Sequence, residues 1–219
     1  FGVPANINAF ALGARMANPN VRIDLQWTCL PDQIDPLHVF TQKGITVISG
    51  RDAPMPNRPQ REFGTFLVRP GGVLQDLATP FWHWGQFYEN VIRTVLNGGW
   101  VRDKSGTDGR AVNYWWGMRS GAEQINYSAG QNSGTMQLLR LVEKQIAKDD
   151  VQVFPSEEYA QGHRKQGAAT GIYTRQELME IDCVDEGVEV EMPRYEALNV
   201  KSRFLLGVNG LDRYKGEPR

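Results

Sequence analysis

Apolar residues recur with two different periods along this sequence, and the alternation of the two periods limits the folds that the chain can adopt. In residues 21–27, VRIDLQW, every second residue is apolar, which is typical of a strand with one buried face. In residues 84–97 apolar positions recur every three or four residues before two glycines, which is typical of an amphipathic helix. Strands that alternate with helices predict an α/β fold with a largely parallel sheet flanked by helices.

Further segments extend this alternation on both sides. Two more strands are predicted over residues 45–49 and 62–68, because both are apolar runs followed by glycine or by a Pro-Gly-Gly turn. The spacing of apolar residues and the residues that end a helix predict helices over residues 7–17, 33–43, 133–148 and near 174–181. An extended aromatic segment is predicted over 111–118.

Composition and charge narrow the class of protein. The chain has 219 residues, with 24 Lys and Arg against 25 Asp and Glu, and therefore lacks the basic surplus that is typical of a nucleic-acid binder. No run approaches the roughly 18 apolar residues of a membrane span. Residues 1–10 lack the pattern of a secretion signal, which predicts a cytosolic chain or a mature or truncated product.

Motifs of the common enzyme classes are absent from the sequence. GMRSG at residues 117–121 has the wrong spacing for a nucleophile elbow, and no phosphate-binding glycine loop or zinc-protease motif occurs. The three histidines share no metal-ligand spacing. We therefore predict a binding protein without metal or cofactor, and a hydrolase assembled from distant residues such as His83 and Asp52 is the less favoured alternative.

Two local features bear on covalent chemistry. Cys29 and Cys183 are the only cysteines, lie far apart in the sequence, and are predicted to be unpaired thiols unless the fold brings them together. Asn126-Tyr127-Ser128 matches a glycosylation sequon, a three-residue pattern that often arises by chance.

Residues suited to a planar ligand follow the predicted strands. Trp27 closes the first strand, Asp52 follows the second, and Trp82 and Trp84 open the helix reached after the third. In parallel sheets, ligands bind beyond the carboxyl ends of the strands. Flat aromatic rings and a carboxylate suit a planar ligand with hydrogen-bonding edges, such as a nucleobase, and at least one of the two later tryptophans is predicted to face it.

Structural interpretations compete with each of these assignments. Trp27 at a strand end could fill a core, and Asp52 could form a surface turn or an ion pair with Arg51. His83, between two tryptophans, could simply hydrogen-bond the backbone at the start of the helix, since a lone histidine usually has a structural role.

Four segments, in order, resemble the basic membrane protein (Bmp/Med) family of ABC-transporter solute receptors. They are NAFALGARMANPNVRIDLQW (8–27), GITVISGRDAP (44–54), WHWGQFYENVIRTVLNGGW (82–100) and YWWGMRSG (114–121), and the match extends over residues 5–155. The resemblance implies a type I periplasmic-binding fold, in which two α/β lobes joined by a hinge close on a purine base or nucleoside. The implied partner is an ABC permease, and the implied location is extracytoplasmic, as a lipoprotein or periplasmic protein.

The resemblance also implies roles for individual residues. Trp27 would be a stacking wall, Asp52 would accept hydrogen bonds from the ligand, and Trp84 would line the cleft where the chain returns through the hinge. Asn8 would lie near the mouth of the cleft.

The sequence departs from the family in two respects. Family members are longer, so most of the first lobe is missing and a partner copy or a missing-lobe partner is expected. Residues 160–219 match only loosely. We therefore predict a second-lobe segment (1–78), a hinge return with first-lobe helices (79–155) and a divergent extension (156–219). The alternatives are a cytoplasmic ligand-sensing or assembly domain of a regulator, or a nucleoside-processing enzyme.

Overall fold

The computed structural model of the chain describes residues 3–31, 34–50, 63–98, 116–148, 153–154, 178, 181, 183–190 and 192–208. The chain forms two compact units. The first comprises Phe1–Gln33, Thr107–Asn113 and Gln152–Arg219, and the second comprises Ile34–Gly106 and Tyr114–Val151. The division into lobes at residues 78 and 155 stays a prediction, because compactness alone does not define the lobes of a longer fold.

Five helices and four strands are present among the described residues. The helices are α1 (Val3–Ala17), α2 (Pro36–Gln42), α3 (Trp84–Leu96), α4 (Ser133–Ala147) and α5 (Val200–Val208), and the strands are β1 (Val47–Ser49), β2 (Thr65–Val68), β3 (Leu74–Trp82) and β4 (Glu123–Tyr127). Helices α1 to α4 and strands β1 and β2 confirm the elements predicted at those positions. Residues 111–115, and most of 174–181, lie outside the described part of the chain.

The core of the first unit is formed by α1 and by residues distant from it in the sequence. Ala11 of α1 packs with Val184 and Val188, and half-buried apolar side chains surround them, namely Ile7, Ile23, Leu25, Trp27 and Val190. Alternate residues of 21–27 thus do contact one core, as their pattern indicates. The predicted strand is nevertheless wrong, because the segment forms only one isolated parallel bridge, between Ile23 and Val188.

The sheet of the second unit is antiparallel throughout, in the order β1-β2-β3-β4. The predicted parallel sheet is therefore wrong for the described strands. The physical reason is the short connection between β2 and β3, which turns at Gly71 and Gly72 with φ values of 83° and 77°. A parallel neighbour would need a crossover of about a dozen residues, whereas an antiparallel one needs only a turn.

Helix α4 contacts the sheet through one polar pair. The hydroxyl of Tyr127 on β4 donates to Oε2 of Glu143 on α4, across 3.4 Å. Burial of the phenol, followed by the charge and the hydrogen bond of Glu143, raises the pKa of Tyr127 to about 12. The odd-numbered residues of β4 therefore face the helix.

No helix among the residues described above is long and apolar enough to cross a membrane.

Gly64 allows β2 and β3 to approach closely where their register shifts. The residue is buried, has a φ of 67°, and precedes the irregularity between Thr65 and Phe66. A Cβ atom at this position would lie 2.5 Å from the carbonyl oxygen of Ala78. Both the backbone conformation and the space require glycine here.

We expect Gly64→Ala to lower the free energy of unfolding by about 3 kcal/mol, because the added methyl group clashes with backbone atoms in a left-handed conformation. Gly44→Ala is the matched control. Gly44 has a φ of 72° with no neighbour within 4 Å of the added Cβ, so only the conformational cost of about 1 kcal/mol applies. Urea denaturation of both variants measures the difference, and equal losses would contradict the close approach at Gly64.

The Tyr127–Glu143 pair predicts an alkaline loss of stability. The phenol stays protonated in the folded chain up to about pH 12, whereas an unfolded tyrosine ionises near pH 10. The pair's contribution is therefore full below about pH 10 and is lost as the pH rises from about 10 to about 12. Difference absorbance titration of wild type against Tyr127→Phe reports this phenol, and Glu143→Gln should shift its titration toward lower pH. A phenol that titrates at its ordinary pH in the wild type would refute the pair.

Candidate functional site

An aromatic cluster lies where β3 ends and α3 begins. We define it as Trp84, Phe87, Tyr88 and Trp116. The ring centroid of Phe87 lies 5.8 Å from that of Trp84, 5.6 Å from that of Tyr88 and 5.4 Å from that of Trp116, with edge-to-face geometry in each pair. Such pairs hold aromatic rings in fixed orientations. Phe87 is thus the centre that fixes the rings of the other three.

His83 sets the abrupt change from strand to helix. Its backbone N–H donates to the carbonyl of Ala122 across 2.8 Å, which continues the pairing with the chain before β4. Its ring Nδ1 accepts from the backbone N–H of Gln86 across 3.0 Å and so caps α3. The structural interpretation of this histidine is confirmed. Because Nδ1 is the acceptor, the neutral ring carries its proton on Nε2.

The aromatic rings of Trp82, Trp84 and Tyr88 are exposed to solvent. Trp82 is 38% exposed, and Trp84 and Tyr88 are each 59% exposed. The Trp84 and Tyr88 rings lie one helical turn apart, with centroids 6.3 Å apart and planes inclined by 32°. Together they offer adjoining flat apolar surfaces, the feature that stacking on a ring-shaped molecule requires.

A carboxylate from β4 lies beside Trp82. Glu123 pairs with Trp82 in the sheet, whereas Gln124 pairs with Phe81 on the other face. The Glu123 carboxylate also lies close to the backbone of Gly117, since a Cβ added there would be 3.6 Å from Oε2. Sequence reasoning missed Glu123, although polar and apolar residues alternate in the QINY that follows it, as in a strand.

Helix α3 turns part of its apolar surface outward. Exposed apolar side chains continue along the helix beyond Trp84 and Tyr88, namely Ile92, Val95 and Leu96. On the packed side, Gln86 Nε2 donates to Asn90 Oδ1 across 3.3 Å, and the Thr94 hydroxyl donates to the Asn90 carbonyl across 2.8 Å. The polar side chains of Gln86, Asn90 and Thr94 are thus more buried than the apolar side chains named above. An ordinary surface helix shows the reverse.

The predicted ligand residues of the first unit are engaged within that unit. Trp27 is half-buried and packs against the core. Asn8 is fully buried, and its side-chain Nδ2 donates to the Cys183 carbonyl across 3.1 Å while Oδ1 accepts from the Asp185 N–H across 2.8 Å. Asp52 lies outside the described residues, and Trp82 and Trp84 of the second unit lie on either side of His83 in the sequence.

A buried acidic group next to Asn8 escaped sequence reasoning. Asp185 is fully buried, and its Oδ2 lies 2.6 Å from a guanidinium nitrogen of Arg15. Its Oδ1 accepts from the Gly187 N–H across 2.9 Å. The carboxylate is therefore paired and hydrogen-bonded, as a buried charge must be. Nothing in the local pattern signals a contact over this sequence distance.

Neither cysteine forms a disulfide bond, as predicted. Burial raises the pKa of the Cys29 thiol, and a backbone hydrogen bond opposes this shift. A raised pKa keeps the group in its unreactive thiol form. In the part of the chain covered by the structure, no three His, Cys, Asp or Glu side chains are placed to hold a metal ion.

The sequence has a distant homologue among ABC-transporter binding proteins. It is 24% identical over 203 residues to the putative ABC transporter glucose-binding protein TsgA13 of Haloferax volcanii, with 87% of this chain and 47% of that protein covered. The chain thus spans about half the length of this curated relative. No protein-family model matches the sequence. The relative is a substrate-binding protein, whereas the finer resemblance to the Bmp/Med family is not shown.

We expect His83→Ala to lower the free energy of unfolding by about 1 kcal/mol, because it removes the side-chain acceptor that caps α3. His83→Asn is the matched control, since asparagine supplies a capping oxygen at the same position and should retain most of the stability. Urea denaturation of the three proteins checks this. Equal destabilisation by both substitutions would show that the imidazole acts through something other than the cap.

Proposed function

We propose that this chain is part of a solute-binding protein of an ABC-type uptake system. The observation that carries the proposal is the similarity to an ABC-transporter binding protein over 87% of the chain. The proposed role is to bind a small molecule and present it to a membrane permease, without chemical conversion. The proposed location is outside the cytoplasm. The alternative of a ligand-sensing domain keeps the same binding site but has no permease.

The proposed contact surface is the exposed pair of rings on Trp82 and Trp84. Both side chains are accessible at the junction of β3 and α3, and the carboxylate of Glu123 lies on the neighbouring strand. An indole ring stacks on a planar ligand with little loss of conformational freedom, and each stacked base contributes on the order of 1–3 kcal/mol. A carboxylate nearby would accept hydrogen bonds from hydroxyl or amino groups on the ligand.

Trp27, Asp52 and Asn8 remain proposed ligand residues on the basis of the family resemblance alone. The hydrogen bonds of Asn8 make it the weakest of the three, because both of its polar groups are already satisfied within the chain. A buried amide released from such bonds would cost about 1–3 kcal/mol. We therefore assign Asn8 a supporting position and place the direct contacts on the aromatic side chains.

The proposed ligand is a purine base or nucleoside, as the Bmp/Med resemblance implies. A hexose is the second candidate, because the relative is named as a glucose-binding protein. Both ligands are neutral rings with hydrogen-bonding edges, and an aromatic wall suits either. They differ in the π surface, which only the purine has. Binding would shift the protein toward a closed state through contacts made only in that state.

We expect Trp84→Ala to weaken purine nucleoside binding at least tenfold, equivalent to about 1.4 kcal/mol, because the stacking surface is lost. Ile92→Ala is the matched control, since Ile92 is an exposed apolar residue two turns further along the same helix. The affinity of this variant for the nucleoside should equal that of the wild type. Isothermal titration calorimetry with guanosine, adenosine, inosine and glucose measures both effects.

Titration with these four ligands tests the ligand class, the role of Trp84 and the enzyme alternative separately. Binding of glucose alone would replace the purine assignment while keeping the transport function. Nucleoside binding that is unaffected by Trp84→Ala would remove this tryptophan from the site. Turnover of any nucleoside would favour the enzyme alternative.

A further inference from the structure

We propose that Asn126 is an acceptor for N-linked glycosylation. This inference rests on the proposed function, because that function places the protein outside the cytoplasm. Asn126-Tyr127-Ser128 is the only Asn-x-Ser/Thr triplet in the whole sequence, and its middle residue is not proline. The triplet alone is a weak signal, so the inference depends on where the structure places its three residues.

The side chain of Asn126 points away from the helix that covers the sheet. Successive residues of a strand point to opposite faces. Tyr127 points toward α4, because its hydroxyl bonds to Glu143, so Asn126 points to the other face. Its side chain is exposed, and its amide forms no hydrogen bond to any residue of the described ranges. The acceptor nitrogen is therefore both accessible and unengaged.

The triplet also lies at the end of β4. Among the described strands, β4 pairs only with β3, and Asn126 lies opposite Thr79. Ser128 directly follows β4. Its N–H still donates to the Leu77 carbonyl of β3 across 3.0 Å, and its carbonyl accepts from the Gln131 N–H across 3.3 Å in the following turn. A transferase that must recognise the hydroxyl two residues after the asparagine thus meets the point where the strand passes into a turn.

An exposed aromatic ring lies on the same face as Asn126. Phe81 pairs with Gln124, two residues before Asn126 on β4, and is 45% exposed. Diagonal neighbours across two strands have side chains about 7–8 Å apart, which is within reach of the first sugar of a glycan. The sugar would cover part of this apolar ring, and the glycan would solubilise the open face of the sheet. Trp82 and Glu123 point to the opposite face, so the glycan would leave the proposed contact surface clear.

The chemical step needs a lipid-linked oligosaccharide as donor. The amide Nδ2 of Asn126 attacks the anomeric carbon of the donor, a carbon–nitrogen bond forms, and the bond from that carbon to the lipid phosphate oxygen breaks. The phosphate leaves with the electron pair, and the amide proton passes to a base of the transferase. No atom is oxidised or reduced.

Intact-mass measurement and glycopeptide mapping of the full chain, purified from the organism that encodes it, test the proposal. We expect a mass increase that maps to Asn126. Asn126→Gln and Ser128→Ala should abolish it, and Ser128→Thr, which keeps the hydroxyl, should retain it. Asn126 is exposed, so Asn126→Gln should fold with an unchanged thermal midpoint.

An unmodified wild-type chain, or a glycan on any other residue, would overturn the inference. The calorimetric titrations keep this result separate from the proposed function. An unmodified protein that binds its solute refutes only the glycan, whereas a glycosylated protein that binds none of the tested solutes refutes only the ligand assignment.

Discussion

The second unit depends on the pairing of β3 with strands on both of its sides. β3 bonds to β2 through residues up to Ala78 and to β4 from Ala78 to Trp82. Where the pairing with β2 ends, Ala78 approaches the buried Gly64, which no residue with a Cβ can replace without displacing backbone. The strand also delivers Trp82 and His83 to the start of α3. The aromatic cluster is therefore positioned by a strand pairing rather than by its own contacts alone.

The helices were predictable from the sequence because their signals are local. α3 shows apolar residues at helical spacing and a glycine shortly after its end, and Gly44 follows the end of α2 with a positive φ. β3 was not predictable by the same means. Its sequence, LQDLATPFW, does not alternate and contains Pro80. The structure accommodates this proline beyond the last residue pair with β2, beside Gly64, where a Cβ atom would lie 3.3 Å from the proline Cδ.

The candidate site was predictable in part, for a related reason. Aromatic residues at a strand–helix junction stand out in a sequence, so the exposed position of Trp82 and Trp84 was predictable, while their contact with a ligand stays a prediction. The capping role of His83 follows from its position before the first helical turn. Glu123 could not be connected with them, because its proximity to Trp82 arises from a pairing between segments about forty residues apart. The ligand role of Asn8 is a prediction from the family resemblance, and the sequence alone does not show that residues 183 and 185 bond its amide.

The bonds of Asn8 also bear on the order in which the chain can fold during synthesis. The amide reaches its partners across 175 and 177 residues of sequence. During synthesis α1 is made before residues 183–190, so its buried face stays uncovered until that segment emerges, whereas the described strands of the second unit are all available once residue 127 has emerged. Contacts between residues so far apart in the sequence form slowly, so the buried face of α1 is expected to be covered later than the strands of the second unit pair.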